Sequence, residues 1–197
     1  MRTPWLVAAA AALLAQSCAR KVAPSPEVVL ARGMAITAKA FATLSGELQA
    51  AMAAGGVTNA LSVCSEKAPR LTAEMAKAEG VVLRRVSHRS RNPANAADAA
   101  DQQRIADWSA GLAAGTVPTP MVELRPNGGA VFRAPILMAA PACLKCHGEP
   151  GVDIAPTDLE LIRSLYPTDT ATGFKAGGVR GMWRVEFPAG AITPSAP

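Results

Sequence analysis

Five consecutive residues, Cys143-Leu144-Lys145-Cys146-His147, set two thiols and an imidazole in the order that covalent attachment of haem requires. Thiols at this spacing reach neighbouring vinyl groups of a porphyrin, and the residue that follows lies under the iron, where an imidazole coordinates. Two plainer chemistries share the C-x-x-C spacing. A structural zinc site needs four ligands, and outside the motif only Cys64 and His88 remain to supply a second pair. A redox dithiol opens a helix after a strand. Here Pro141 precedes the pair and Gly148-Glu149-Pro150-Gly151 follows it, so the motif is expected in a loop between elements. One covalent haem, haem c, is the reading these residues favour.

Cys18 belongs to other chemistry. Arg2 precedes an apolar run from Trp5 to Ala15, too short to cross a bilayer and of the length of a signal-peptide core. Ala15-Gln16-Ser17-Cys18 resembles the bacterial lipobox, which makes residues 1–17 a signal peptide, Cys18 a lipidated N-terminus and residues 18–25 a tether. Ordinary cleavage after Ala19, with Ser17 and Ala19 at the recognition positions, is the competing reading. Both export the chain, and the expected location is the bacterial periplasm, with a membrane contact through the lipid in the first case.

Composition agrees with one exported domain. The 197 residues suffice for one ordinary core, and 50% apolar with 18% charged residues exclude a disordered chain or a highly charged nucleic-acid arm. Without residues 1–17 the chain holds 19 basic and 15 acidic residues, a charge of +4 that selects no partner. Export itself argues against nucleic acid. Aromatic residues are only 4%, so aliphatic side chains must fill the core, and a bulky cofactor would replace the missing rings.

The elements that must position these groups can be read in order. Ser25-Pro26-Glu27 is an N-cap, a first-turn Pro and a first-turn acid, and Gly55-Gly56 stops the helix they open. Leu30, Met34, Phe41, Leu44, Leu48 and Met52 are expected on its packing face. A second helix runs from about Thr58 to Ala78, with Leu61, Cys64, Ala68, Leu71 and Met75 as its buried stripe. Pro69 removes the amide that would bond the Ser65 carbonyl, which predicts a kink one turn after Cys64. A strand follows over 81–90, then a turn at Arg91-Asn92-Pro93-Ala94-Asn95, then a helix capped by Asp98 or Asp101 and ending near Ala113. Strands over 121–125 and 130–138 flank Pro126-Asn127-Gly128-Gly129 as a hairpin. A short helix from Thr157 to Leu165 and a strand from Val179 to Phe187 complete a body over residues 26–188, with residues 189–197 as a frayed tail. The fold class is α+β, an antiparallel sheet with helices ahead of it.

A haem iron held by His147 has a second axial face. Cys64, His88 and the Met residues at 34, 52, 75, 121, 138 and 182 are the candidates. A Met would raise the reduction potential, whereas a thiolate pushes electron density onto the iron and lowers it. Arg84, Arg85, Arg89 and Arg91 form a basic group that either faces solvent or pairs with haem propionates, Arg91 being the better placed for pairing because the Asn92-Pro93 turn holds it.

Several separated motifs together resemble the PAS-like single-haem c-type proteins known from cyanobacteria and from the sensing regions of bacterial histidine kinases. They are Cys64-Ser65 with Ala68-Pro69, Arg85-Val86-Ser87, Arg91 to Asn95, Cys143 to Gly148, Tyr166-Pro167, Asp169, Ala171, Gly173-Phe174, Gly177 and Arg180-Gly181. The chain departs from that pattern at residues 96–102, where helix three begins. The resemblance implies a PAS-like antiparallel sheet, and His147 with Cys64 as the axial pair. Tyr166 then either donates a hydrogen bond near the haem or closes the core. With both axial positions filled by protein, peroxidase or oxygenase chemistry is not expected, and the chain is read as a non-enzyme. A redox or small-gas sensor and a low-potential electron carrier are the two functions left open, the former needing a separate partner protein at the membrane for its output.

Overall fold

The computed structural model describes residues 24–192, so the signal segment, Cys18 and most of the tether lie outside the described residues. Four antiparallel strands form one sheet in the order β1-β4-β3-β2. They are β1 (Val82–Val86), β2 (Met121–Leu124), β3 (Ala130–Leu137) and β4 (Val179–Phe187). The expected hairpin is β2 to β3, closed by Arg125 N donating to the Gly129 carbonyl at 2.8 Å. The last strand enters the middle of the sheet, between β1 and β3. At Gly181 a Cβ would stand 2.4 Å from the Val86 carbonyl oxygen, so only glycine lets β4 approach the end of β1 this closely.

Helix α1 (Pro26–Ser62) opens as the cap pattern predicts, with Ser25 Oγ accepting from Val28 N at 3.3 Å. Its packing face differs from the expectation. Val29, Gly33, Ile36, Ala40 and Leu44 are buried, whereas Leu30, Met34 and Phe41 lie exposed, Phe41 at 61%. The sheet supplies the reason: Phe132, Trp183 and Phe187 already project bulk toward the helix, so the helix must present small groups. A Cβ at Gly33 would fall 2.3 Å from the Phe132 ring. At Gly55 and Gly56 the backbone leaves helical geometry, Gly56 taking φ +65°, and the expected stop appears as a sharp kink before the chain resumes helix.

A five-residue π-helical turn, Val63–Lys67, joins α1 to α2 (Ala68–Glu79), which ends on left-handed Gly80, close to the expected end at Ala78. Ala68 N bonds the Val63 carbonyl across this wider turn, next to the position where Pro69 lacks an amide. Helix α3 (Ala99–Ala113) is capped by Asp98, whose carboxylate accepts from Asp101 N at 2.9 Å, so the altered 96–102 segment still starts the helix. Asp101 is fully buried and binds Arg133 and Arg184 at 2.7 Å each, fastening α3 to β3 and β4. Ile192 is buried in the sheet core and Ala191 accepts from Arg32 at 2.7 Å, so the chain is packed, not frayed, as far as 192. Two short helices complete the body: α4 (Pro141–His147) and α5 (Pro156–Leu165).

Candidate functional site

Cys143, Cys146 and His147 lie on α4, not in a loop as the flanking Pro and Gly residues suggested. Pro141 serves as a first-turn residue that starts the helix, a role it fills because the orphan first-turn amide is unused there. The position after β3, with Cys143 in the first turn of α4, is where a redox dithiol would also stand. Cys146 occupies the last turn, where a helix dipole opposes a thiolate, and burial pushes its pKa up to about 11. Among the described residues no three His, Cys, Asp or Glu side chains converge as a metal cage, so Cys64 and His88 do not complete a zinc set with the pair.

The end of α4 is stitched to the segment 169–174. His147 Nδ1 meets the Ala171 carbonyl at 2.7 Å, Phe174 N donates to the His147 carbonyl at 2.9 Å, and Gly173 N donates to the Gly148 carbonyl at 2.6 Å. A carbonyl only accepts, so Nδ1 carries the proton and Nε2 keeps its lone pair. Burial, with Arg180, Arg91 and Arg85 nearby, holds the imidazole pKa well below its ordinary value. The ring is therefore neutral, as a metal ligand must be. Arg91 clamps the same turn: its Nη2 reaches the Cys146 carbonyl at 2.5 Å and Asp169 Oδ2 at 3.1 Å, while Asp169 Oδ1 accepts from Ala171 N at 2.8 Å.

Cys64 lies on the π-helical turn and is exposed, contrary to its expected place in the buried stripe; Leu61 and Ala68 of that stripe are buried. The wider turn rotates the thiol out of the α-helical phase on which the stripe was built. Its sulfur faces neighbours that matter. Desolvation by the surrounding protein raises the thiol pKa, against the opposing pull of Arg85 and Arg91, and a charge on Cys64 raises the pKa of both Cys146 and Tyr166. Tyr166 is the residue after α5, half-buried, with the Arg91 guanidinium carbon 6.0 Å from its ring centre. Cys64, Tyr166, Arg91 and the α4 motif thus share one neighbourhood.

The other ligand candidates sit elsewhere. His88 is exposed and separated from His147 by Phe174, which meets the two rings edge-on at 5.8 and 6.4 Å. Met138 and Met182 are buried in apolar clusters, Met75 and Met121 pack beside such clusters, and Met34 is exposed on α1. Of the four arginines in the basic group, Arg84 donates to the Ala94 carbonyl at 2.6 Å and Arg89 to the Thr170 carbonyl at 3.0 Å. Asp169, Phe174 and Arg180 are site neighbours that periodicity did not single out; their only signal was membership in the motifs of the resemblance. Arg91 Nε is buried without a partner, an orphan that an anionic cofactor would satisfy. Two thiols, a neutral imidazole with a free nitrogen and a guanidinium with a free donor fit a haem.

The profile of the Tll0287-like family matches residues 10–188. The crystal structure of the cyanobacterial heme-protein Tll0287 shares this fold, with a TM-score of 0.57 and 22% identity over 83% of this chain and 95% of that one. No curated protein matches the chain.

Proposed function

Because the chain belongs to the Tll0287-like family, we propose that it is an exported haem-binding protein and a redox or small-gas sensor. One haem c would be bound through thioethers to Cys143 and Cys146, with His147 and Cys64 as axial ligands and Arg91 and Tyr166 beside it. The observation that carries this reading is His147: its Nδ1 proton is given to Ala171 at 2.7 Å, which orients the ring and leaves Nε2 for a metal. Such a haem supplies one-electron chemistry.

The chain's own contribution to sensing is the π-helical turn. Such turns recur at functional sites, and this one holds Cys64 on a segment that can rewind to α-helical phase if its sulfur is released. The signal would then pass along the helices to a partner protein at the membrane surface. A non-enzymatic role would follow from this ligand set, in which His147 and Cys64 would fill both axial positions. The second reading, a low-potential periplasmic electron carrier, is favoured by the rigid stitching of α4 to residues 169–174, which keeps His147 fixed.

The absorption spectrum of the export-matured protein, with pyridine haemochrome analysis, tests the proposal. One c-type haem per chain is expected; a colourless polypeptide from a host with haem-attachment machinery would sink it. Cys64→Ala should alter the ferric spectrum and raise the midpoint potential, and an unaltered spectrum removes Cys64 from the site. Carbon monoxide or nitric oxide should shift the Soret band of the reduced sensor. No shift with either gas ends the gas sensor and leaves a redox sensor or the carrier.

A further inference from the structure

We propose that the outer face of α1 is a self-pairing surface, on which a second copy of this chain docks as an antiparallel helix. The face turned away from the sheet carries Ala31, Met34, Ala38, Phe41, Ser45 and Leu48, spaced three and four residues apart in strict alternation. That spacing is the seam of a two-helix coiled coil. It is a second seam on one helix, since Val29, Ile36, Ala40 and Leu44 already pack against the sheet. Among the described residues nothing covers it. Phe41 is 61% and Met34 46% exposed, Ala31 and Ala38 are exposed, and Ser45 and Leu48 are half-buried.

A helix face bathed in water normally carries charge, and this one carries none between Glu27 and the kink at Gly55. The charged residues of that stretch are Arg32, Lys39 and Glu47, and each is engaged by its own chain. Arg32 donates to the Ala191 and Glu79 carbonyls, Lys39 pairs with Glu79, and Glu47 pairs with Lys67. An interfacial membrane helix needs basic residues free beside its apolar face, so these engagements disfavour a lipid surface. An uncharged partner face fits, and the seam offers one to itself. Its alternation of size sets the direction. Laid antiparallel about a two-fold axis between Ala38 and Phe41, each large side chain meets a small one: Phe41 the partner's Ala38, Met34 the partner's Ser45, Leu48 the partner's Ala31. A parallel pair would set Phe41 on Phe41 and Ala38 on Ala38, crowding one layer and leaving a void in the next. The contact is about 25 Å long and one helix wide, below the roughly 800 Å² per partner of a standard interface, so the dimer is a reversible one.

Sedimentation of the export-matured protein over a concentration series tests the pairing independently of the haem reading. Wild type should pass from monomer to dimer as the concentration rises. Phe41→Lys should weaken dimerisation roughly a hundredfold, about tenfold for each of the two symmetry-related sites. Val117→Lys, at a still more exposed apolar position outside α1, should leave it unchanged. A rescue experiment reads the direction and guards against a variant that fails to fold. Met34→Glu and Ser45→Lys should each weaken the dimer and together restore it, because position 34 meets position 45 of the partner. Within one chain the two stand about 16 Å apart along the helix, beyond pairing reach. A double variant no tighter than the singles overturns the antiparallel pairing. A wild type that stays monomeric at every concentration overturns the proposal, and binding to phosphatidylglycerol vesicles that Phe41→Lys abolishes would then assign the face to a bilayer.

Discussion

His147 keeps one ring nitrogen for the fold and leaves the other for a ligand. That division depends on Ala171, whose carbonyl is in turn placed by Asp169 and Arg91. The buried Arg91–Asp169 pair is therefore a positioning device, and removing its acid would leave a guanidinium stranded. Asp169→Ala should cost about 3 kcal/mol or more of stability in a denaturant titration, and, if the haem reading holds, should disorder the His147 signals in the NMR spectrum of the haem-loaded protein. A loss within error of zero would mean that Arg91 finds another anion. The thiols, His147 and Arg91 could be named as candidates from residue type and spacing. The orphaned Nε could not, because partnership is a property of three-dimensional neighbours.

Among the elements, α3 shows how a cap and a core contact divide labour between adjacent acids. The sequence left Asp98 and Asp101 as equal candidates; the structure makes Asp98 the cap and buries Asp101 against Arg133 and Arg184. Hydrogen bonding to Asp101 N, then Arg184, lowers the Asp98 pKa below its model-compound value of 3.8. A depressed folded-state pKa means stabilisation is present above the unfolded value and is lost as pH falls through the folded one. The thermal midpoint of wild type should therefore exceed that of Asp98→Asn at neutral pH and converge with it below pH 3.8. A constant gap across that range would contradict a charge effect. At the sheet, Gly181→Ala should cost about 2 kcal/mol, since the added carbon meets the Val86 backbone oxygen, which cannot rotate away.

For the molecule as a whole, three segments far apart in the chain meet at one place: the π-helical turn at 63–67, the Arg85 to Arg91 stretch, and the run from Cys143 to Arg180. Arg91 already bonds the second segment to the third, and a cofactor bridging all three should add further stability to the folded state alone. The haem-loaded protein should unfold at a higher temperature than the Cys143→Ala/Cys146→Ala protein without haem, and added haem should recover part of the difference. Equal midpoints would mean that the segments are held together by the protein without help.

Taken by itself, the sequence determined the ends of β2, β3 and β4 to within a residue, the hairpin and the break at Gly55-Gly56, because each depends on near neighbours along the chain, whereas the first strand ends at Val86, four residues short of the expected 90. Turn residues, caps and alternation are local physics. Which face of α1 packs, whether Pro141 opens a helix and where Cys64 points were decided only by tertiary structure. Phe132 against Gly33 set the first. The stitching of α4 to 169–174 supports the second, and a π-helical turn rotates the thiol in the third. In each case the deciding atom comes from outside the local pattern, or the helical period itself changes, and a fixed spacing rule carries neither.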